Sequence, residues 1–93
     1  MIMEYYAIKD TKVAFMNPFM QHNKAEAIRS FRSVLTDDRS EASKNPADYE
    51  LWYVGQWDDA TGIMMGGQPQ FIENGVEGLK NAENNRSAHL ESI

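Results

Sequence analysis

The side chains able to do chemistry are few. His22 and His89 are the only imidazoles, and the chain has no cysteine. Neither histidine has a second ligand type at metal spacing, whereas zinc needs three or four ligands, so both are expected in surface or structural roles. Asp58 and Asp59 stand side by side but lack the alternating oxygen ligands of a calcium loop; hairpin-turn chemistry accounts for them. Gly62, Gly66 and Gly67 do not follow a strand and open a helix, as a phosphate-cradling loop would. The serines and threonines are scattered, with no base and orienting group in register. The sequence therefore predicts no enzyme, no metal and no cofactor.

What remains is charge and aromatic surface. The net charge is −5, which argues against indiscriminate binding to phosphate backbones. Its distribution is uneven: residues 1–44 carry +1, residues 45–72 carry −4 without a single base, and residues 73–93 carry −2. An anion-binding face belongs to the first half, with Arg29 and Arg32 as its leading candidates and Lys9, Lys12, Arg39 and Lys44 behind them. Tyr5 and Trp52 are available to stack on unpaired bases if their rings are exposed. The plainer alternative is a solvated helix face in which Glu26 pairs with Arg29, with Trp52 and Trp57 used for packing.

These residues must be positioned by one small domain. Ninety-three residues leave no room for a second, and a chain this short buries only about 60 to 65% of its unfolded surface. Without cysteine no disulfide stabilises it. No apolar run reaches the roughly 18 to 20 residues of a membrane span, and Glu4 interrupts the opening segment before a signal-peptide core can develop; a soluble intracellular protein is expected, and the sequon at Asn85 is read as chance.

Period-two alternation over Ile2–Lys9 predicts a strand apolar on both sides, Ile2, Tyr6 and Ile8 against Met3, Tyr5 and Ala7. After a turn at Asp10, residues 12–16 return as a short strand, Asn17 and Pro18 interrupt, and Phe19 and Met20 anchor on the core. Asn23 with Glu26 predicts a capped helix over 24–36. Ala27, Ile28, Phe31 and Leu35 make its core stripe, and Ala25, Arg29, Arg32 and Thr36 the opposite one. A polar loop follows, with a helical turn near residues 39–43 and another opened by Pro46. YELWYVGQW over 49–57 is the central strand, Asp58–Gly62 a hairpin loop with Gly62 in a left-handed position, and residues 63–65 its partner. Gly66, Gly67 and Pro69 end that hairpin. Residues 71–79 are a weak strand or one or two helical turns, and residues 81–93 a loose tail.

The expected fold is α+β: a mainly antiparallel sheet of three to five strands with one principal helix on one face, a domain over 1–80, and the tail. One helix covers one face of a sheet whose first strand is apolar on both, so a homodimer is predicted, by sheet face or by edge.

The segments Tyr5–Phe19 and Phe31–Gly62 also resemble the small nonstructural protein of gokushoviruses, the Microviridae phages with circular single-stranded DNA genomes. The matching elements are Tyr6, Ile8 and Asp10; Asn17 and Phe19; Pro46, Asp48 and Tyr49; Leu51 and Gly55; and the Asp59–Gly62 turn. The resemblance implies a role in phage DNA metabolism in the cytoplasm of the bacterial host, through single-stranded DNA or a replication complex on it. The alternative is an acidic interaction module that engages a phage or host replication factor without touching DNA, with Asp48, Glu50, Asp58 and Asp59 as its surface.

Overall fold

The computed structural model describes the backbone of residues 1–91 and the side chains of residues 1–84. β1 (Ile2–Asp10) is central. On one side it pairs antiparallel with β4 (Tyr49–Asp58). On the other it pairs with two short strands, β2 (Ala14–Phe15) at its C-terminal end and β3 (Phe19–Gln21) nearer its start. β5 (Ile63–Asn74) lies outside β4 and forms the far edge. The architecture is the α+β, antiparallel one that the alternation predicts.

Alternation assigns the faces. Tyr6 pairs with Tyr53 and Ile8 with Leu51, and Tyr6 and Leu51 are buried in one cluster with Ala27, Phe31 and Leu35 of α1 (Lys24–Leu35). The helix stripe predicted from periodicity is thus the stripe on the sheet. Asn23 caps α1 by accepting from the Glu26 amide at 2.9 Å. The Glu26 carboxylate meets His22 at 3.0 Å rather than the expected Arg29, which is exposed. Burial, and then the Glu4 carboxylate to which its hydroxyl donates at 2.5 Å, push the Tyr6 phenol above its ordinary pKa. Ser40 caps the single turn of α2 (Glu41–Lys44) through the Ser43 amide, and a 3-10 turn at Pro46–Asp48 leads into β4. Gly62 closes the β4–β5 hairpin at φ 75°, the left-handed position its sequence context required.

Two elements depart from expectation. β5 does not end at the glycines. Between the Tyr53–Gln70 and Gly55–Gly66 pairs the register shifts, so Gly67, Gln68 and Pro69 bulge out opposite Val54 and the strand resumes to Asn74. An edge strand tolerates the missing proline N–H at such a bulge.

The second departure is α3 (Gly75–Glu91), a continuous helix across the boundary at residue 80 where a loose tail was expected; residues 92–93, and side chains beyond 84, lie outside the described residues. The Asn74 side chain caps its start by accepting from the Val76 amide at 2.8 Å. Its docking stripe is Gly75, Gly78, Leu79 and Ala82, spaced i, i+3, i+4, i+7. Gly75 lies against the Pro46 carbonyl, and a Cβ on Gly78 would stand 2.8 Å from Leu35 Cδ1 and 2.9 Å from Glu73 Oε2. This helix lies beside α1 by close backbone approach, not by large side chains. Among the described residues no helix is long and apolar enough to cross a membrane.

Candidate functional site

α1 and α3 both cover the Tyr6–Leu51 face, and among the described residues the other face of the sheet has no layer over it. Its side chains are the outward members of each strand: Met3, Tyr5, Ala7 and Lys9 of β1, Phe15 of β2, Met20 of β3, Glu50, Trp52 and Trp57 of β4, and Met64 and Phe71 of β5. Across the middle runs an aromatic row. Phe15 and Trp52 meet edge to face with centroids 5.6 Å apart, and Trp52 and Phe71 at 5.8 Å. The Trp52 indole N–H donates to Glu50 Oε1 at 3.0 Å, which fixes the ring over its own strand. Ala7, opposite Trp52, is sealed beneath. The flanking rings stay open: Phe15 is 42% and Phe71 53% exposed. Lys9 Nζ lies 5.2 Å from the Phe15 centroid and 5.3 Å from that of Trp52, cation–π distances, and Glu50 faces Lys9 directly across the strands.

The structure divides the sequence-predicted residues between two sides. Lys9, Tyr5 and Trp52 share the open face, and Lys12 is exposed in the turn at its end. Arg29 and Arg32 lie on the helical side, in a shallow groove that they line with Ala25, Ser33, Thr36 and Ala82. The stripe read as solvated is therefore flanked by α3. Arg32 is committed: its Nη2 and Nε donate to Glu73 Oε1 and Oε2 at 2.7 and 3.3 Å. That pair is well shielded, with side-chain exposures of 24% and 9%. Arg39 donates to both carboxylate oxygens of Asp37, at 3.1 and 3.2 Å, which holds the Asp37 carboxyl below its usual range. Lys44 faces Glu41 at 3.6 Å. Phe15 and Phe71 complete the row and were missed as site residues. Phe15 sat in a segment read only as a returning strand, and Phe71 beyond glycines read as the strand's end.

The proposed acidic surface is likewise divided. Asp48 and Glu50 stand at the start of β4 and Asp58 and Asp59 at its finish, about 30 Å apart at the rise of an extended strand. Carboxylates converge elsewhere, around Tyr49. Burial first, then the charges of Asp10, Glu41 and Asp48, raise the Tyr49 phenol above its ordinary pKa. Asp10, Glu41 and Tyr49 line a cleft of about 370 Å³ whose remaining walls include Ile8, Val13, Phe15, Met16 and Val34. Among the described residues no group of three or more acidic or imidazole side chains is placed to hold a metal ion.

A family model described as Phage ORF5 protein matches residues 3–78. The chain belongs to the Phage ORF5 family. No curated protein and no solved structure matches it. The ORF5 match takes in β1 from Met3 on, β2 to β5, α1, α2 and the first turn of α3, and so contains the whole aromatic row and the Gly75–Gly78 contact.

Proposed function

We propose that this phage protein, which we place with the gokushovirus nonstructural proteins it resembles, binds single-stranded DNA on the open face of its sheet during genome synthesis in the cytoplasm of the host. The observation that carries this reading is the Phe15–Trp52–Phe71 row with Lys9 above it. Bases stack on aromatic rings irrespective of sequence, at about 1 to 3 kcal/mol per base, and a sheet with upward rings presents several at once. On this reading the phosphates of a strand lying there are met by Lys9, above the row, and by Lys12, exposed in the turn that follows β1. Arg29, Arg32, Arg39 and Lys44 belong to the helical side and the α1–β4 connection.

Stacking rather than charge dominates such a site, because Glu50 offsets Lys9. Titration of a labelled single-stranded oligonucleotide at about 50 mM salt tests this. Phe71→Ala, at an exposed ring, should weaken binding roughly 5- to 100-fold. Lys9→Gln should reduce the salt slope by about one, and Arg29→Ala should leave affinity unchanged. Loss with Arg29→Ala and none with Phe71→Ala would move the site to the helical groove.

A second reading has its own observation, the apolar cleft with carboxylates at Asp10 and Glu41, which suits an apolar side chain beside a basic one on a replication factor. No oligonucleotide binding in the same titration removes the first reading. Glu41→Lys should then release any partner retained from nuclease-treated host lysate, and retention would remove the second.

A further inference from the structure

The two edges of the sheet are treated differently. One is closed by β2 and β3, strands of two and three residues, too short to template another chain. The other is the outer edge of β5, twelve residues long, with no charged residue from Ile63 to Ile72. Natural edge strands are protected by lysines, prolines, bulges or shortness. The protections that β5 carries, Pro69 with the bulge at Gly67–Pro69 and a second register shift at Ile72, all lie beyond Gly66 and leave Ile63–Gly66 straight and unguarded. That segment is apolar on both faces and lies past the reach of the helices. Ile63 and Met65 point to the helical side, in register with Asp58 and Gln56, and Met64 to the open side beside Trp57. Their exposures are 57%, 40% and 59%.

From this asymmetry we infer that a second copy of the chain pairs with the Ile63–Gly66 edge, β5 antiparallel to β5 about a two-fold axis perpendicular to the sheet. The occupant follows from charge. An uncharged edge offers no attraction to DNA or to a basic or acidic partner, but two identical uncharged edges meet without the repulsion that a protein of net charge −5 would otherwise face. An antiparallel edge contact is also self-complementary, each residue meeting its symmetry equivalent. Pro69 has no N–H to donate, which confines the pairing to the residues before it. Four to five residues of edge span about 15 Å, which places the contact in the small, reversible class under about 1,200 Å² in total, so association is expected at micromolar concentrations.

A perpendicular two-fold keeps the same face upward in both copies. The dimer is one continuous sheet with two aromatic rows on one surface, a bivalent platform for a single strand. This consequence rests on the DNA reading; the contact does not.

Sedimentation equilibrium without nucleic acid at tens of micromolar tests the contact alone. The wild type should give twice the 10.6 kDa of one chain. Ile63→Lys with Met65→Lys should give a single chain at the same loading and an unchanged circular dichroism spectrum. A monomeric wild type would overturn the inference, as would a double variant that remains dimeric. So would dissociation caused instead by Met20→Lys on the open face. Should the double variant lose its fold, Met64→Lys, at the 59% exposed methionine between them, replaces it with the same expected outcome.

Discussion

Replacing Arg32 with alanine is expected to destabilise the fold by about 3 to 5 kcal/mol, although arginine on the outer stripe of a helix reads as a surface residue. Its guanidinium donates twice to Glu73, a carboxylate with 9% of its side chain exposed. Glu73 also accepts from the Asn81 amide of α3 at 3.4 Å. Removing the arginine leaves a buried anion without its counter-charge, and that penalty, rather than the lost attraction, sets the size of the effect. Urea unfolding measures it. The double variant Arg32→Leu with Glu73→Leu should recover much of the loss, because no charge is then left stranded. If Arg32→Ala costs under about 1 kcal/mol, the pair is solvated and this account of it is wrong. A further consequence concerns DNA binding: loss in an Arg32→Ala protein would report unfolding as readily as a lost contact, so Arg29→Ala is the cleaner probe of the helical groove.

Gly75→Ala is the second large effect. A single methyl there would overlap the Pro46 carbonyl oxygen, a backbone atom that cannot rotate aside. Either the 3-10 turn at Pro46–Asp48 or the start of α3 must move, at about 3 kcal/mol or more, beyond the usual cost of overpacking because the neighbour is main chain. The helix-propensity gain of alanine over glycine, about 1 kcal/mol, does not offset this. Gly78→Ala is the informative contrast. Its Cβ would meet the end of the Leu35 side chain and the Glu73 carboxylate, groups able to shift by a few tenths of an ångström, so the propensity gain offsets more of the clash. Denaturation midpoints should rank wild type, Gly78→Ala, then Gly75→Ala. A stable Gly75→Ala protein would mean that α3 does not dock as described.

These two sites show why parts of the molecule were legible in the sequence and others were not. α1 and the central strands were readable because large apolar side chains mark their buried faces: Phe31 and Leu35 at helical spacing, Tyr6, Ile8 and Leu51 at strand spacing. The docking face of α3 is marked mostly by absent side chains, Gly75 and Gly78, so the helix read as a weak element followed by a polar tail. Arg32 was placed on the correct stripe, but what that stripe faces depends on α3. Continuation of β5 past Gly66 was hidden because glycines and a proline that usually end a strand here form a bulge within it. Tyr5, Lys9 and Trp52 were picked out from residue type, and the sheet's register then placed Phe15 and Phe71 beside Trp52 across strands distant in sequence.

The most direct test of the open face as the DNA contact is photocrosslinking of the wild-type protein to a single-stranded oligonucleotide carrying 5-iodouracil, followed by mass-spectrometric mapping of the adducts. Iodouracil couples to aromatic rings stacked on it. The adducts should fall on Phe15, Trp52 and Phe71, with Tyr5 as the neighbouring ring, and should diminish when unmodified oligonucleotide competes. Adducts mapped instead to α1 or α3, or none above the competed background, would contradict the account.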